Sequence, residues 1–139
     1  MPYPYLDEAK SSSIQNGNLT QTLAMVILVV DDHALVRAAI NQVLSSSSEV
    51  KQVVSVSNYT DAETEAARLR PDIIWLDMHI AGGDGIGEIR NLRKITPNSR
   101  IIALADVEDE QEAFAVIMTG AHGYRSKQDV DPGRVCTRP

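Results

Sequence analysis

Three aspartates and one lysine stand where they could do chemistry together. Asp31 and Asp32 close the aliphatic run Met25 to Val30, Asp77 closes the run Ile73 to Leu76, and Lys127 follows Gly123-Tyr124-Arg125-Ser126. If these runs are strands of an open parallel sheet, their carboxyl ends share the edge beyond which such sheets bind ligands. With the first and third strands adjacent, three carboxylates converge on one pocket with an ammonium beside them. Crowded carboxylates raise one another's pKa, and a divalent cation relieves the repulsion. A donor set of oxygens, without His or Cys at ligand spacing, favours Mg2+ over zinc. A carboxylate flanked by Mg2+ and Lys is placed to attack phosphorus, both positive charges stabilising the phosphoryl oxygens in the transition state. Taken singly, each aspartate has a blander reading as a helix cap or turn residue, Asp32 before the helix near His33 and Asp84 before the one near Ile86. The combination is what favours a site.

The elements that must position these groups alternate along the chain. Met25 to Val30 is a continuous aliphatic run, as expected of a strand buried on both faces. Leu35, Val36, Ala39, Ile40, Val43 and Leu44 follow at helical spacing, ending in the solvated run Ser45 to Ser48. Gln52 to Ser57 is a second strand. Thr60 and Glu63 have capping-box spacing and open a helix carrying Ala62, Ala66 and Leu69, which Pro71 stops. Ile73 to Leu76 is a third strand. The loop Gly82-Gly83-Asp84-Gly85 leads into a helix with Ile86, Ile89 and Leu92. It lacks the Gly-Lys-Ser/Thr ending of a phosphate loop and reads as a turn. Ile101 to Leu104 is a fourth strand, Ala113, Phe114, Ile117 and Met118 mark one face of a helix capped by Gly120, and Gly123 to Ser126 is a fifth strand. Strand and helix alternate, which predicts an α/β fold, an open parallel sheet with helices on both faces.

Composition sets outer limits. The chain has 139 residues, 43% hydrophobic and 23% charged, enough for one domain with an aliphatic core. A formal net charge of −6 argues against nucleic-acid contact by this chain. The one cysteine, Cys136, excludes an intramolecular disulfide and has no nearby His to make it catalytic. The longest apolar run, Leu23 to Val30, is far short of the roughly 20 residues that span a bilayer, and the first residues lack a signal-peptide pattern. A cytoplasmic location is expected. Residues 1–24, broken by Pro2, Pro4 and Asn16-Gly17-Asn18, read as a disordered tail, 25–131 as the domain, and 132–139 as a short irregular tail.

Three segments carry a family resemblance. Val-Asp-Asp-His at 30–33, Trp-Leu-Asp-Met-His-Ile-Ala-Gly-Gly-Asp-Gly at 75–85 and Gly-Ala-His-Gly-Tyr-Arg-Ser-Lys at 120–127 resemble the receiver domains of bacterial response regulators. The resemblance covers about residues 25–131 and is strongest to the branch with a C-terminal helix-turn-helix output domain. It implies a flavodoxin-like sheet of order 2-1-3-4-5, with Asp77 as the phosphoacceptor. It implies that Asp32, Asp77 and the backbone carbonyl of His79 hold Mg2+ directly, that Asp31 acts through water, and that Lys127 contacts the phosphoryl oxygens. It further implies a histidine kinase or phosphotransfer protein as partner, and a module that promotes its own phosphoryl transfer without being an enzyme of metabolism.

Three departures bear on the switch. Ala105 stands where the family carries Thr or Ser, whose hydroxyl bonds the phosphoryl group. Ala81 stands where the family carries Pro. Only 12 residues follow Lys127, so a truncated fifth helix is expected. Tyr124 reads either as the family's rotating aromatic or as a residue buried at the sheet edge. Phosphorylation-dependent homodimerisation is expected to be weak. A degenerate receiver that binds partners without a phosphate switch is the alternative reading. A haloacid dehalogenase-type hydrolase would need a second Asp two residues after the first, where this chain has His79. His33, His79 and His122 lack metal-ligand spacing and read as loop or helix-start residues.

Overall fold

The computed structural model describes residues 24–130. Five parallel strands, β1 (Met25–Val30), β2 (Val50–Val56), β3 (Ile73–Asp77), β4 (Arg100–Ala105) and β5 (Gly123–Ser126), form one sheet of order β2-β1-β3-β4-β5. Four helices alternate with them, α1 (Ala34–Ser45), α2 (Tyr59–Leu69), α3 (Gly85–Ile95) and α4 (Glu110–Thr119), and a 3-10 turn, Lys127–Val130, follows β5. The topology is the flavodoxin-like order expected from the sequence.

The continuous aliphatic strands work because both faces of the sheet are covered. Leu28, Val30, Ile74, Leu76, Ile101 and Ala103 point to one face and pack with Ala62 and Ala66 of α2, Ile89 and Leu92 of α3 and Val116 of α4. Their alternates Ile27, Val29, Ile73, Trp75, Ile102 and Leu104 point to the other, where Ile40 and Leu44 of α1 meet them. Each fully buried aliphatic side chain contributes about 1.5–3 kcal/mol. Register carries this packing to the functional edge: Val30 pairs with Leu76, so the next residues, Asp31 and Asp77, emerge side by side. Asp77 pairs with Leu104, and Ala105 pairs with Ser126, the residue before Lys127.

Several local expectations are corrected. β2 begins at Val50 rather than Gln52. α2 begins at Tyr59, capped by Asn58, whose side chain accepts from the Asp61 N–H at 2.8 Å. An amide so placed satisfies a free N–H of the first turn, so Thr60 is inside the helix rather than its cap. Asp32 caps nothing: His33 holds the N-cap position of α1 without a side-chain bond, and Asp84 holds that of α3 likewise. Leu35 is exposed and outside the apolar stripe of α1. The apolar face read on α4 is largely open. Phe114, Ile117 and Met118 face solvent and Val116 is its buried residue, although Gly120 ends the helix as expected with φ 123°. The tail through residue 23, residues 131–139 with Cys136, and any fifth helix beyond the 3-10 turn lie outside the described residues.

One polar group sits inside the helix layer. Glu88 of α3 is 3% exposed, its Oε2 has no hydrogen-bond partner, and Glu63 of α2 lies beside it. Asn91 donates to Glu63 Oε2 at 3.2 Å. Burial, then the hydrogen bond and charge of Glu63, push the Glu88 carboxyl up to about 8.

Candidate functional site

β1, β3 and the turn after β5 deliver the groups that the sequence picked out. Asp31 and Asp77 are fully buried at the ends of their strands, while Asp32 is turned outward, its side chain 31% exposed. The Lys127 Nζ reaches between the two buried carboxylates, 3.0 Å from Asp31 Oδ2 and 3.1 Å from Asp77 Oδ2. Its stem is almost wholly covered, so the ammonium is fixed by its surroundings. The other oxygen of each carboxylate is held by backbone. Asp31 Oδ1 accepts from the His33 N–H at 2.8 Å, and Asp77 Oδ1 from the His79 N–H at 3.0 Å. The backbone of Asp31 is tied in turn to Arg37, which donates to its carbonyl at 2.8 Å.

The electrostatics follow from these contacts. Burial holds the Asp77 carboxyl above its ordinary value. The His79 N–H pulls it down, the charge of Asp31 pushes it up, and Lys127 pulls it down again, leaving a net rise. For Lys127, burial alone would lower the pKa, but its bonds to Asp31 and Asp77 outweigh that and hold the ammonium above its usual range. One buried cation therefore answers two buried anions, with Asp32 adding negative charge at the rim.

That imbalance fits a further cation. Ligand atoms of Asp31, Asp32, His33 and Asp77 all lie within 4.8 Å of one another. The buried Asp31 Oδ2 and Asp77 Oδ2 share the single Lys127 ammonium, at 3.0 and 3.1 Å, and no backbone N–H reaches either of them. Crowded hard oxygens short of positive charge suit a divalent ion such as Mg2+.

Around this centre the structure places residues that the sequence reading did not assign. His33, read as a helix-start residue, has its Nδ1 3.1 Å from carboxylate oxygens of both Asp31 and Asp32. Asp106, exposed just past β4, lies 3.6 Å from Lys127. Its position next to Ala105 at a strand's carboxyl end was the available signal. The His79 side chain leaves the pocket and pairs with Glu112 of α4, Nε2 to Oε2 at 2.6 Å. Glu112 also accepts from the Tyr124 hydroxyl at 2.7 Å, and that hydroxyl accepts from the Asp109 N–H at 3.0 Å. Tyr124 is thus buried at the sheet edge with its hydroxyl tied to α4. Ala105 is buried at the end of β4 and brings no hydroxyl to the site. His122 is structural: its Nδ1 accepts from the Ile101 N–H at 3.0 Å.

A 2-1-3-4-5 parallel sheet, with an acidic pocket and a lysine at its carboxyl edge, defines a signalling receiver module. The sequence profile described as the response regulator receiver domain matches residues 27–138, and the chain belongs to that family, the receiver domains of two-component response regulators. Among its relatives is a nitrate/nitrite response regulator protein homolog of Haemophilus influenzae, 31% identical over 76% of this chain and 50% of that protein. The nitrate/nitrite response regulator protein NarL of Escherichia coli K12 is 30% identical over 76% of this chain and 49% of its own length. The chain thus spans about half the length of the curated relatives it matches. Among solved structures, a LuxR-family two-component response regulator from Aurantimonas superposes with a TM-score of 0.69 at 25% identity, covering 75% of this chain and 74% of that one. A response regulator from Burkholderia pseudomallei, whose structure contains a phosphorylated aspartic acid and a calcium ion, has the same fold at 23% identity, with a TM-score of 0.69 over 74% of this chain and 59% of that one.

Proposed function

We propose that this receiver accepts a phosphoryl group on Asp77 from a histidine kinase or phosphotransfer protein and changes its protein contacts in response. The observation that carries the reading is the pair of contacts from Lys127 to Asp31 and Asp77, with both carboxylates buried. In the transfer, an oxygen of Asp77 forms the new bond to phosphorus as the bond to the donor's imidazole nitrogen breaks, and that nitrogen leaves with the electron pair. The His79 N–H holds the other Asp77 oxygen still, which orients the attacking one. Lys127 stands ready to bond the phosphoryl oxygens, where charge builds up in the transition state. Mg2+ would be held by Asp32, Asp77 and the His79 carbonyl, with Asp31 acting through water, and would supply further charge stabilisation. The protein turns over no metabolite. Incubation with a small phosphodonor and Mg2+, followed by intact-mass measurement, tests the reading: one added phosphoryl group on the wild-type chain is expected, and no addition would overturn it.

Mg2+ is expected to raise the melting temperature even without phosphate. A ligand that binds only the native state adds roughly 2.7 kcal/mol at a hundredfold excess over its Kd, and the acidic cluster gives it a native-only site. Melts of the wild type and Asp32→Asn check this. No shift at saturating Mg2+ in either protein would remove the metal site.

The switch itself is expected to transmit weakly. Ala105 offers the phosphoryl group no hydroxyl, and a hydrogen bond to a charged group contributes about 1.5–3 kcal/mol, a sizeable share of the roughly 5.5 kcal/mol that carries a two-state module from 1:99 to 99:1. Phosphorylation-driven dimerisation should be weak, and Ala105→Thr should strengthen it. Light scattering with a beryllofluoride phosphoryl mimic measures both. Tight dimerisation of the unaltered chain would show that Ala105 does not impair switching. Net charge −6 also makes specific duplex DNA binding by this chain alone unexpected. Among the described residues no helix is long and apolar enough to cross a membrane; the cytoplasmic location we propose rests instead on membership of the receiver family.

A further inference from the structure

Asp77 begins a loop that has little to hold it. Residues 81–85 are Ala-Gly-Gly-Asp-Gly, three glycines among five residues with no proline. The Gly83 N–H donates to the Ile80 carbonyl at 3.0 Å, and Gly82 has φ 77°. Together these define a type II turn with Gly82 at its third position, where a positive φ is required. A chain so rich in glycine loses more freedom on ordering than any other, yet the first residues after β3 must keep the Asp77 carboxylate and the His79 backbone in place.

The side chain of Tyr59 lies across this loop. Its hydroxyl donates to the Asp77 carbonyl at 2.6 Å. Its ring covers Gly83 so closely that a Cβ built there would lie 2.6 Å from Tyr59 Cε2 and 2.7 Å from Cδ2. The ring is partly buried against the core formed by the sheet and α2, α3 and α4, and the residue opens α2, so its backbone is anchored. One side chain thus touches the phosphoacceptor's own backbone and the far limb of the turn, and it does so from a different helix.

We infer that Tyr59 is a positioning residue for Asp77, holding the acceptor and the 78–84 loop in the geometry that phosphoryl transfer needs. This rests on Asp77 being the acceptor. Tyr59 does not touch the reacting atoms, and it acts through the Asp77 carbonyl and through Gly83. The same geometry explains why position 83 is glycine: any side chain there would push the ring away and draw the hydroxyl off the carbonyl.

The test compares wild type, Tyr59→Phe, Tyr59→Leu, Gly83→Ala and Ala81→Pro, with the Ala81→Pro/Tyr59→Leu double variant. Ala81 is the second residue of the type II turn, where proline is favoured, so this change stiffens the loop by an independent route. Labelling rates with phosphoramidate and Mg2+ are measured alongside amide hydrogen exchange of residues 78–84. Loss of the single hydrogen bond in Tyr59→Phe should slow labelling roughly three- to tenfold, and Tyr59→Leu by more. Gly83→Ala should behave like Tyr59→Leu although Tyr59 is still present. Exchange in 78–84 should rise in all three. Ala81→Pro should restore much of the rate in the Tyr59→Leu background while changing the wild type little. Tyr59→Phe with wild-type rate and exchange would overturn the inference, as would slowed variants that Ala81→Pro leaves unrescued, which indicates general destabilisation. If the wild type takes no label, the phosphoacceptor reading fails and with it the role toward transfer, while exchange still shows whether Tyr59 holds the loop.

Discussion

An Asp77→Asn chain is expected to take up no phosphoryl group at any Mg2+ concentration, because an amide oxygen is a poor nucleophile and Asp77 is the proposed acceptor. Asp31 has matching backbone N–H and lysine contacts, so the variant also tests which of the two buried carboxylates is phosphorylated. The same change is expected to leave the fold as stable as wild type or more so without Mg2+. It removes a fully buried negative charge at nearly constant volume, and Lys127 keeps Asp31 as its partner. Loss of labelling with retained stability is a sharp combination: a destabilised, unlabelled variant would point to misfolding, and equal labelling would move the acceptor elsewhere. Intact mass and thermal melts on the same samples decide it.

Glu88→Gln is expected to stabilise the protein above neutral pH and to abolish most of the pH dependence on the way there. In the unfolded chain this carboxyl titrates near its ordinary 4.5, and in the fold at about 8. Between those values the folded state holds a proton that the unfolded state has released. Stability must therefore fall as pH rises through that window, at about 1.4 kcal/mol per pH unit for one proton, and level off above it. The cause is the deep burial of Glu88 against Glu63, an anion beside an anion with Asn91 as the nearby donor. Glutamine cannot ionise and removes the slope. Asp72 and Asp77, also held above their ordinary values, leave a smaller slope of the same sign nearer the acid end. Urea titrations from pH 5 to about 9 measure this directly. A wild type whose stability is flat or rising across that range would contradict the burial of Glu88.

The parallel sheet was the most legible feature, because an aliphatic run bounded by Asp or Gly has few alternatives to a strand buried on both faces, whereas the strand order came from the family resemblance. Site residues at strand ends came with the sheet: once β1 and β3 are neighbours, Asp31, Asp77 and the Lys127 after β5 have to meet. Helix faces were less legible. Phe114, Ile117 and Met118 have the spacing of a core-facing stripe, and nothing in spacing tells a covered stripe from an open one. The reading that started α2 at Thr60 also left Tyr59 outside the helix, which hid its reach to Asp77. Glu88 gave no sign, since a glutamate on a helix reads as solvent-facing and its burial depends on how α2 packs on α3. The His79–Glu112 pair joins residues far apart in sequence and depends on where α4 lies.

The way α4 is attached has a consequence for its energetics. It buries Val116 while Phe114, Ile117 and Met118 stand in water. Much of what fastens its first turns to the remainder of the domain is polar: Asp109 at its N-cap, Glu112 to His79 and Tyr124 to Glu112. Polar links of this kind are each worth little net, because water competes for the same groups. Displacing this helix would cost these links and the burial of Val116, much less apolar burial than displacing a central strand. Local stability in proteins is uneven, and α4 is the helix joined, through Glu112 and His79, to the loop that follows Asp77.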